Sequence, residues 1–119
     1  GKAVAAKYGC VAAITGARDI VTDGRRVAAI GNGVPQMGKV TGTGCMLSGV
    51  IGAYVGAPAA PFEGTVAAIT TIGMAGEAAY AASREEGTGS LRTGIIDALS
   101  RLTDREIGGK GKISYEAWD

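Results

Sequence analysis

Apolar residues follow two rhythms along this chain: short unbroken runs near the start, then three- and four-residue spacing. Cys10 to Ile14 is apolar without alternation and closes on Thr15-Gly16. Such a run predicts a short strand buried on both faces, as in a parallel sheet. Ile20-Val21-Thr22 and Arg26-Val27-Ala28-Ala29-Ile30 flank Asp23-Gly24, which predicts a hairpin. Further on, Met46, Leu47, Val50, Ile51, Tyr54 and Val55 fall on one broad helical stripe. Pro58 and Pro61 close that helix and open the next, from about Phe62 to Ser83. This second helix is apolar nearly all round, which predicts a place between layers. Gly87-Thr88-Gly89-Ser90 reads as a loop and N-cap, and Leu91, Ile95, Ile96, Leu99 and Leu102 mark a third, amphipathic helix.

The two ends read differently. Lys7 and Gly9 look like the last turn and stop of a helix whose beginning is absent. From Thr103 onward seven of 17 residues are charged, against 16 of the preceding 102, and Gly108, Gly109 and Gly111 lie among them. That composition predicts a solvated or partner-dependent tail. A strand, a hairpin and three helices leave the helices too little sheet to cover. The expected fold class is α/β, with residues 1–102 forming the C-terminal half of a larger domain and residues 103–119 its charged tail.

Composition narrows the chemistry. A chain of 119 residues suits one domain, and a net charge of +1 gives no reason to expect nucleic acid or an anionic membrane as partner. The absence of histidine excludes His-containing triads and HExxH zinc sites. Two cysteines, Cys10 and Cys45, make neither a disulfide framework nor a Cys-rich zinc site, and the default setting is a reducing cytoplasm. No apolar run reaches the roughly 18 residues of a membrane span, and the first residues lack the layout of a signal peptide. Glycine is the outlier: its 21 residues sit mainly at the ends of apolar segments, where functional loops are made.

One such loop carries the strongest chemical signal. Val40-Thr41-Gly42-Thr43-Gly44-Cys45-Met46-Leu47 sets two glycines and two threonines before a helix N-terminus. Backbone N–H groups and the helix dipole there make an anion site, suited to a phosphoryl group in flight. It is not a Walker A loop, because the GxxxxGK[ST] spacing and its lysine are missing. Cys45 stands in the first helical turn, where the dipole favours a thiolate able to take a proton from a substrate hydroxyl. The plainer alternative is a small buried apolar residue, which is also the reading of Cys10. Thr15-Gly16 ends a strand, where open α/β sheets bind ligands, although a simple exit turn explains it as well. Arg18, Asp19 and Asp23 read as solvated hairpin charges, Asn32-Gly33 and Pro35 as turn residues, and Arg84-Glu85-Glu86 as a helix-end charge run. Tyr115 and Trp118 are either docking residues or a disordered end.

Together these residues resemble one family. Tyr8-Gly9-Cys10-Val11, Ile14-Thr15-Gly16, Asp19 and Val21-Thr22-Asp23-Gly24 are similar to a stretch of hydroxyethylthiazole kinase. Asn32-Gly33-Val34-Pro35-Gln36-Met37 and Lys39-Val40-Thr41-Gly42-Thr43-Gly44-Cys45 resemble that family's catalytic segment. Gly87-Thr88-Gly89-Ser90, Leu91 and Asp97-Ala98-Leu99 are similar to its C-terminal helix. Related ribokinase-like kinases usually carry aspartate where Cys45 stands. The resemblance departs at Thr88 and Val34, where the family shows proline and often histidine, and the tail has no clear counterpart.

The resemblance implies a ribokinase-like three-layer α/β/α fold with a mainly parallel sheet, of which this chain is the C-terminal portion. It implies transfer of the ATP γ-phosphoryl group, with Mg2+, to the hydroxyl of 4-methyl-5-(2-hydroxyethyl)thiazole in thiamine salvage. It also implies a homotrimer with the thiazole at a subunit boundary, and a missing N-terminal half as partner. By matching position Cys45 would be catalytic, Gly42, Thr43, Gly44 and Cys45 would line the anion hole, Gly42 would contact substrate and Thr15 would contact ATP. No metal ligand is expected in this chain, and no activity is expected of these residues alone. Other readings are another small-alcohol kinase, such as one for a hydroxymethylpyrimidine, or a non-catalytic nucleotide-binding or oligomer module. A redox role for Cys45 ranks last, with no CxxC and no resolving partner nearby.

Overall fold

The left-handed region is open to glycine at little cost, and Gly9 uses it (φ 60°, ψ 39°) to stop helix α1, Lys2–Tyr8, with Lys7 in the last turn. The computed structural model describes residues 1–56 and 60–117, so Pro58 and Trp118 lie outside the described residues. Strand β1 (Ala12–Ile14) leads to the hairpin of β2 (Asp19–Thr22) and β3 (Arg26–Ile30), paired antiparallel with Thr22 opposite Val27. The turn forms where Asp23-Gly24 predicts it. Asp23 Oδ1 accepts from the N–H groups of Arg25 (2.9 Å) and Arg26 (2.7 Å). These bonds, aided by the Arg26 guanidinium, lower the Asp23 carboxyl to about 2.

A 3-10 turn at Pro35–Lys39 leads to α2 (Thr43–Gly56), followed by α3 (Pro61–Ala82) and α4 (Thr88–Arg101). Fourteen of the 22 residues of α3 are buried, as expected of a helix between layers. On one side Ile72, Ala75 and Ala79 pack with Leu91, Ile95 and Ala98 of α4. On another, Phe62, Val66 and Ile69 meet Val21, Ala28 and Ile30 of the hairpin. Leu47 of α2 touches both clusters. The polar residues inside α3 are satisfied locally: Thr65, Thr70 and Thr71 donate to the carbonyls of Pro61, Val66 and Ala67 at 2.7–2.8 Å.

Three expectations need correction. The run Cys10–Ile14 is not a buried parallel strand: β1 pairs only with β2, antiparallel, and Ala13, Ile14 and Cys10 are exposed. Nothing in the described chain covers its far side, so the apolar run lacks the second layer it implies. The N-cap expected within Gly87–Ser90 is Gly87, but Thr88, Gly89 and Ser90 belong to α4 rather than to a loop. Residues 103–116 are largely exposed, as a solvated segment would be, but the segment is not a loose tail. They fold into α5 (Asp104–Lys110) and β4 (Ile113–Ala117), and β4 extends the sheet to the order β1-β2-β3-β4, antiparallel throughout. Thr103 caps α5 by accepting from the Glu106 N–H at 3.3 Å. Ile113 packs on the Val21–Phe62 cluster, and Gly31 N–H donates to the Lys112 carbonyl at 2.8 Å. Tyr115 stays exposed.

Candidate active site

The segment between the 3-10 turn and α2 is shaped by its own hydrogen bonds. Thr43 Oγ1 shares its proton between the carbonyls of Met37 (3.1 Å) and Val40 (2.9 Å). Gly42 turns the chain at φ 92°, a conformation that disfavours any side chain. The Thr43 N–H reaches the Val40 carbonyl (3.4 Å) and the Met46 N–H that of Gly42 (2.9 Å). The N–H groups of Gly44 and Cys45 have no carbonyl partner among the described residues. They are orphan donors of a helix start, the arrangement that binds anions.

This helix start forms one wall of a cleft of about 660 Å³. Gly42, Thr43 and Gly44 line it, together with Thr15, Gly16 and Asp19 from the exit of β1 and the start of β2. The loop Asn32–Pro35 and Ile69, Ile72 and Gly73 of α3 also line it. The structure thus brings Thr15 together with three of the four expected anion-hole residues. Cys45 is exposed and sits one residue beyond Gly44 without lining the cleft.

Asp19 belongs to this site rather than to the solvent. Its Oδ1 accepts the Gly16 N–H at 3.0 Å, which fixes the turn after Thr15, and it is half-buried. Burial raises its carboxyl above the usual range, partly offset by that hydrogen bond. A carboxylate with a raised value in the fold weakens stability above that value, and the penalty disappears once it is protonated in acid. Asp19→Asn keeps an acceptor for Gly16 without the charge. Its melting temperature should therefore exceed the parent's at pH 7 and converge with it below about pH 3.8, the unfolded value. A variant less stable than the parent at pH 7 would contradict a burial penalty at Asp19.

Asn32, read from sequence as a turn residue, is buried, as Gly33 packs beside it against α3. Glu77 of α3 supports both from beneath: Gly33 N–H donates to its Oε1 at 3.0 Å and Asn32 Nδ2 to its Oε2 at 3.2 Å. No local pattern in the sequence links positions so far apart. Asp19 had a readable signal, since an aspartate three residues after a glycine can close a turn on its N–H.

Open N–H donors at a helix N-terminus are groups of the kind that bind phosphate, and of the two here Gly44 lines the cleft. It does not by itself make a Mg2+ site: Asp19 is the one carboxylate lining it, and no group of three metal-ligating side chains gathers among the described residues. No helix among those residues is long and apolar enough to cross a membrane.

Comparison with known proteins agrees with this geometry. Residues 1–105 match the model of the "Hydroxyethylthiazole kinase family". A hydroxyethylthiazole kinase of Ruminiclostridium cellulolyticum is 44% identical over 113 residues, and one of Clostridium beijerinckii is 46% identical over 112. These matches cover 95% and 94% of this chain but 41% of each relative. The solved structure of the hydroxyethylthiazole kinase protein from Pyrococcus horikoshii OT3 superposes with a TM-score of 0.89 at 36% identity, covering 97% of this chain and 44% of that one. The chain thus spans about two fifths of the length of the relatives it matches. With the loop, the cleft and the sequence in agreement over nearly all its residues, the chain belongs to the hydroxyethylthiazole kinase family.

Proposed function

We propose that this chain supplies the phosphoryl-transfer half of a kinase that moves the γ-phosphoryl group of ATP to the primary hydroxyl of 4-methyl-5-(2-hydroxyethyl)thiazole, a salvage step toward thiamine. The observation that carries the proposal is the pair of open N–H groups at Gly44 and Cys45, beside a cleft that Gly44, Thr15 and Asp19 line together. Phosphoryl transfer passes through a loose transition state with charge spread over the equatorial oxygens. Donors already aimed at that charge lower the barrier without reorganising. In this reading Gly42–Cys45 hold the migrating group, Thr15 contacts the nucleotide and Gly42 the acceptor. Cys45 accepts the hydroxyl proton late, since a thiolate is too weak a base to remove it from an alcohol early.

ATP would supply the phosphoryl group, and Mg2+, held by ligands from outside this chain, would offset the charge that develops on it. The acceptor pocket is completed from outside as well. Helix α2 is apolar yet has no buried residue, and Ile14 on β1 is 47% exposed. Both surfaces call for a covering layer, which the proposal identifies with the N-terminal three fifths of the family's domain. The working form is then a homotrimer with the acceptor at a subunit boundary, in the cytoplasm.

The test is reconstitution. The chain should be co-expressed with the N-terminal segment of the R. cellulolyticum kinase that it does not match, and incubated with ATP, Mg2+ and either alcohol. Phosphorylated thiazole, and no phosphorylated hydroxymethylpyrimidine, is expected by 31P NMR. Phosphorylation of the pyrimidine alone, or ATP bound without turnover in a folded assembly, would overturn the assignment.

A further inference from the structure

Three remote segments meet behind the cleft. Asn32 sits on the loop that walls it, Glu77 in the C-terminal third of α3, Lys110 at the end of α5 and Lys112 just before β4. Every polar atom of the Asn32 side chain is engaged across these segments. Its Nδ2 donates to the Glu77 carboxylate (3.2 Å to Oε2) and to the Lys110 carbonyl (3.2 Å), while its Oδ1 accepts the Lys112 N–H at 2.6 Å. Glu77 Oε1 takes the Gly33 N–H at 3.0 Å and lies 3.4 Å from Lys112 Nζ. Gly31 N–H closes the circuit on the Lys112 carbonyl at 2.8 Å. The loop therefore has no independent position, being tied to the helix beneath it and to the C-terminal segment beside it.

We propose that Asn32 and Glu77 are positioning residues of the nucleotide cleft, and that the C-terminal segment around Lys112 acts through them as a strap on the loop Asn32–Pro35. The functional consequence rests on the phosphoryl-transfer reading above; the mechanical one does not. Asn32 is 6% exposed, so a lost partner leaves a buried polar group that the loop must move to hydrate. The carboxylate of Glu77 holds two donors of the loop at once, Gly33 N–H and Asn32 Nδ2, which fixes the orientation of the peptide between them. Residues 106–117 lie beyond the family-model match, yet they hold a wall of the site.

The Gly33 amide is a built-in reporter, because it donates to Glu77 and neither of two informative variants removes that donor or its acceptor. Lys112→Pro removes the N–H that Asn32 accepts. Gly111 before it already has φ −67° and ψ 131°, the extended conformation that precedes proline. Asn32→Leu removes the bridge from the loop side at similar volume. In the 119-residue chain, amide exchange followed by NMR should accelerate at Gly33 by about tenfold or more in either variant, the equivalent of one hydrogen bond. Ile72 and Ile95 in the core should change by less than about twofold, a local opening rather than global unfolding. In the reconstituted assembly either variant should raise KM for ATP by about tenfold and lower kcat by less than threefold.

If Gly33 stays protected, or loosens by the same factor as Ile72 and Ile95, the strap does not exist. If Gly33 loosens while KM for ATP is unchanged in an active assembly, the positioning role is overturned. Exchange is read without ligand, so inactivity of the unsubstituted assembly would count against the phosphoryl-transfer reading alone. Each variant suffices by itself should the other fail to fold.

Discussion

Phenylalanine at Gly44 will remove phosphoryl transfer from the reconstituted kinase while leaving this chain folded. A Cβ built on Gly44 meets no atom within 4 Å, and its backbone is ordinary helix, so the fold has room for a side chain. Gly44 lines the cleft. An aromatic ring there would stand over the N–H groups of Gly44 and Cys45 and keep phosphate oxygens away. Loss of one such donor elsewhere lowers kcat by roughly 10²–10³, and blocking two should reach or exceed the upper end. Cys45→Ala removes only the late proton acceptor, and a loss nearer 10² is expected. Thermal unfolding of both variants should match the parent, which separates a blocked site from a broken fold. If Cys45→Ala proves the more damaging change in kcat, early proton abstraction outweighs charge stabilisation, and Cys45 rather than the open amides carries the larger share of the rate.

The second large effect lies in α3. A Cβ on Gly73 would stand 2.8 Å from the carbonyl carbon, oxygen and Cβ of Asn32. These are mainly backbone atoms, and Asn32 is pinned by Glu77, Lys110 and Lys112, so the loop cannot swing aside. Gly73→Ala should therefore destabilise the chain by about 1–3 kcal/mol and lower Tm by roughly 5–10 °C. Gly76 is an internal control on the same helix. There the added methyl would collide with the thioether end of Met37, a flexible side chain able to choose another rotamer. Gly76→Ala should lose less than about 1 kcal/mol. Equal losses at the two positions would mean that the Asn32 loop is softer than its hydrogen bonds imply.

What the sequence made legible was local or periodic. Asp23-Gly24 predicts its turn because the turn's hydrogen bonds lie within three residues of Asp23. The all-round apolar pattern of Phe62–Ser83 predicts a central helix because its neighbours, whichever they are, must cover every side. The Thr41–Cys45 spacing predicts the helix start at Thr43 for the same local reason. Expectations fail where the deciding partner is remote in sequence or is not among the described residues. The β1 run implies a second layer that these residues do not supply. The C-terminal segment was readable in part: Thr103 and Glu106 have the spacing of a capping box, but charge and glycine content pointed toward solvent. Asn32 and Glu77, 45 positions apart, leave no trace in either period.

The glycines of α3 bear on how the chain reaches this structure. Gly64, Gly73 and Gly76 admit the Tyr54 carbonyl, the Asn32 loop and Met37 to close approach. In an exposed helix each would cost about 1 kcal/mol relative to alanine. The longest helix of the chain is thus a poor autonomous helix, despite a length that favours early nucleation. Its helicity is lent by the neighbours those glycines admit, so α3 orders together with the Asn32 loop and α2 rather than ahead of them. The cleft is assembled in the same cooperative event as the core.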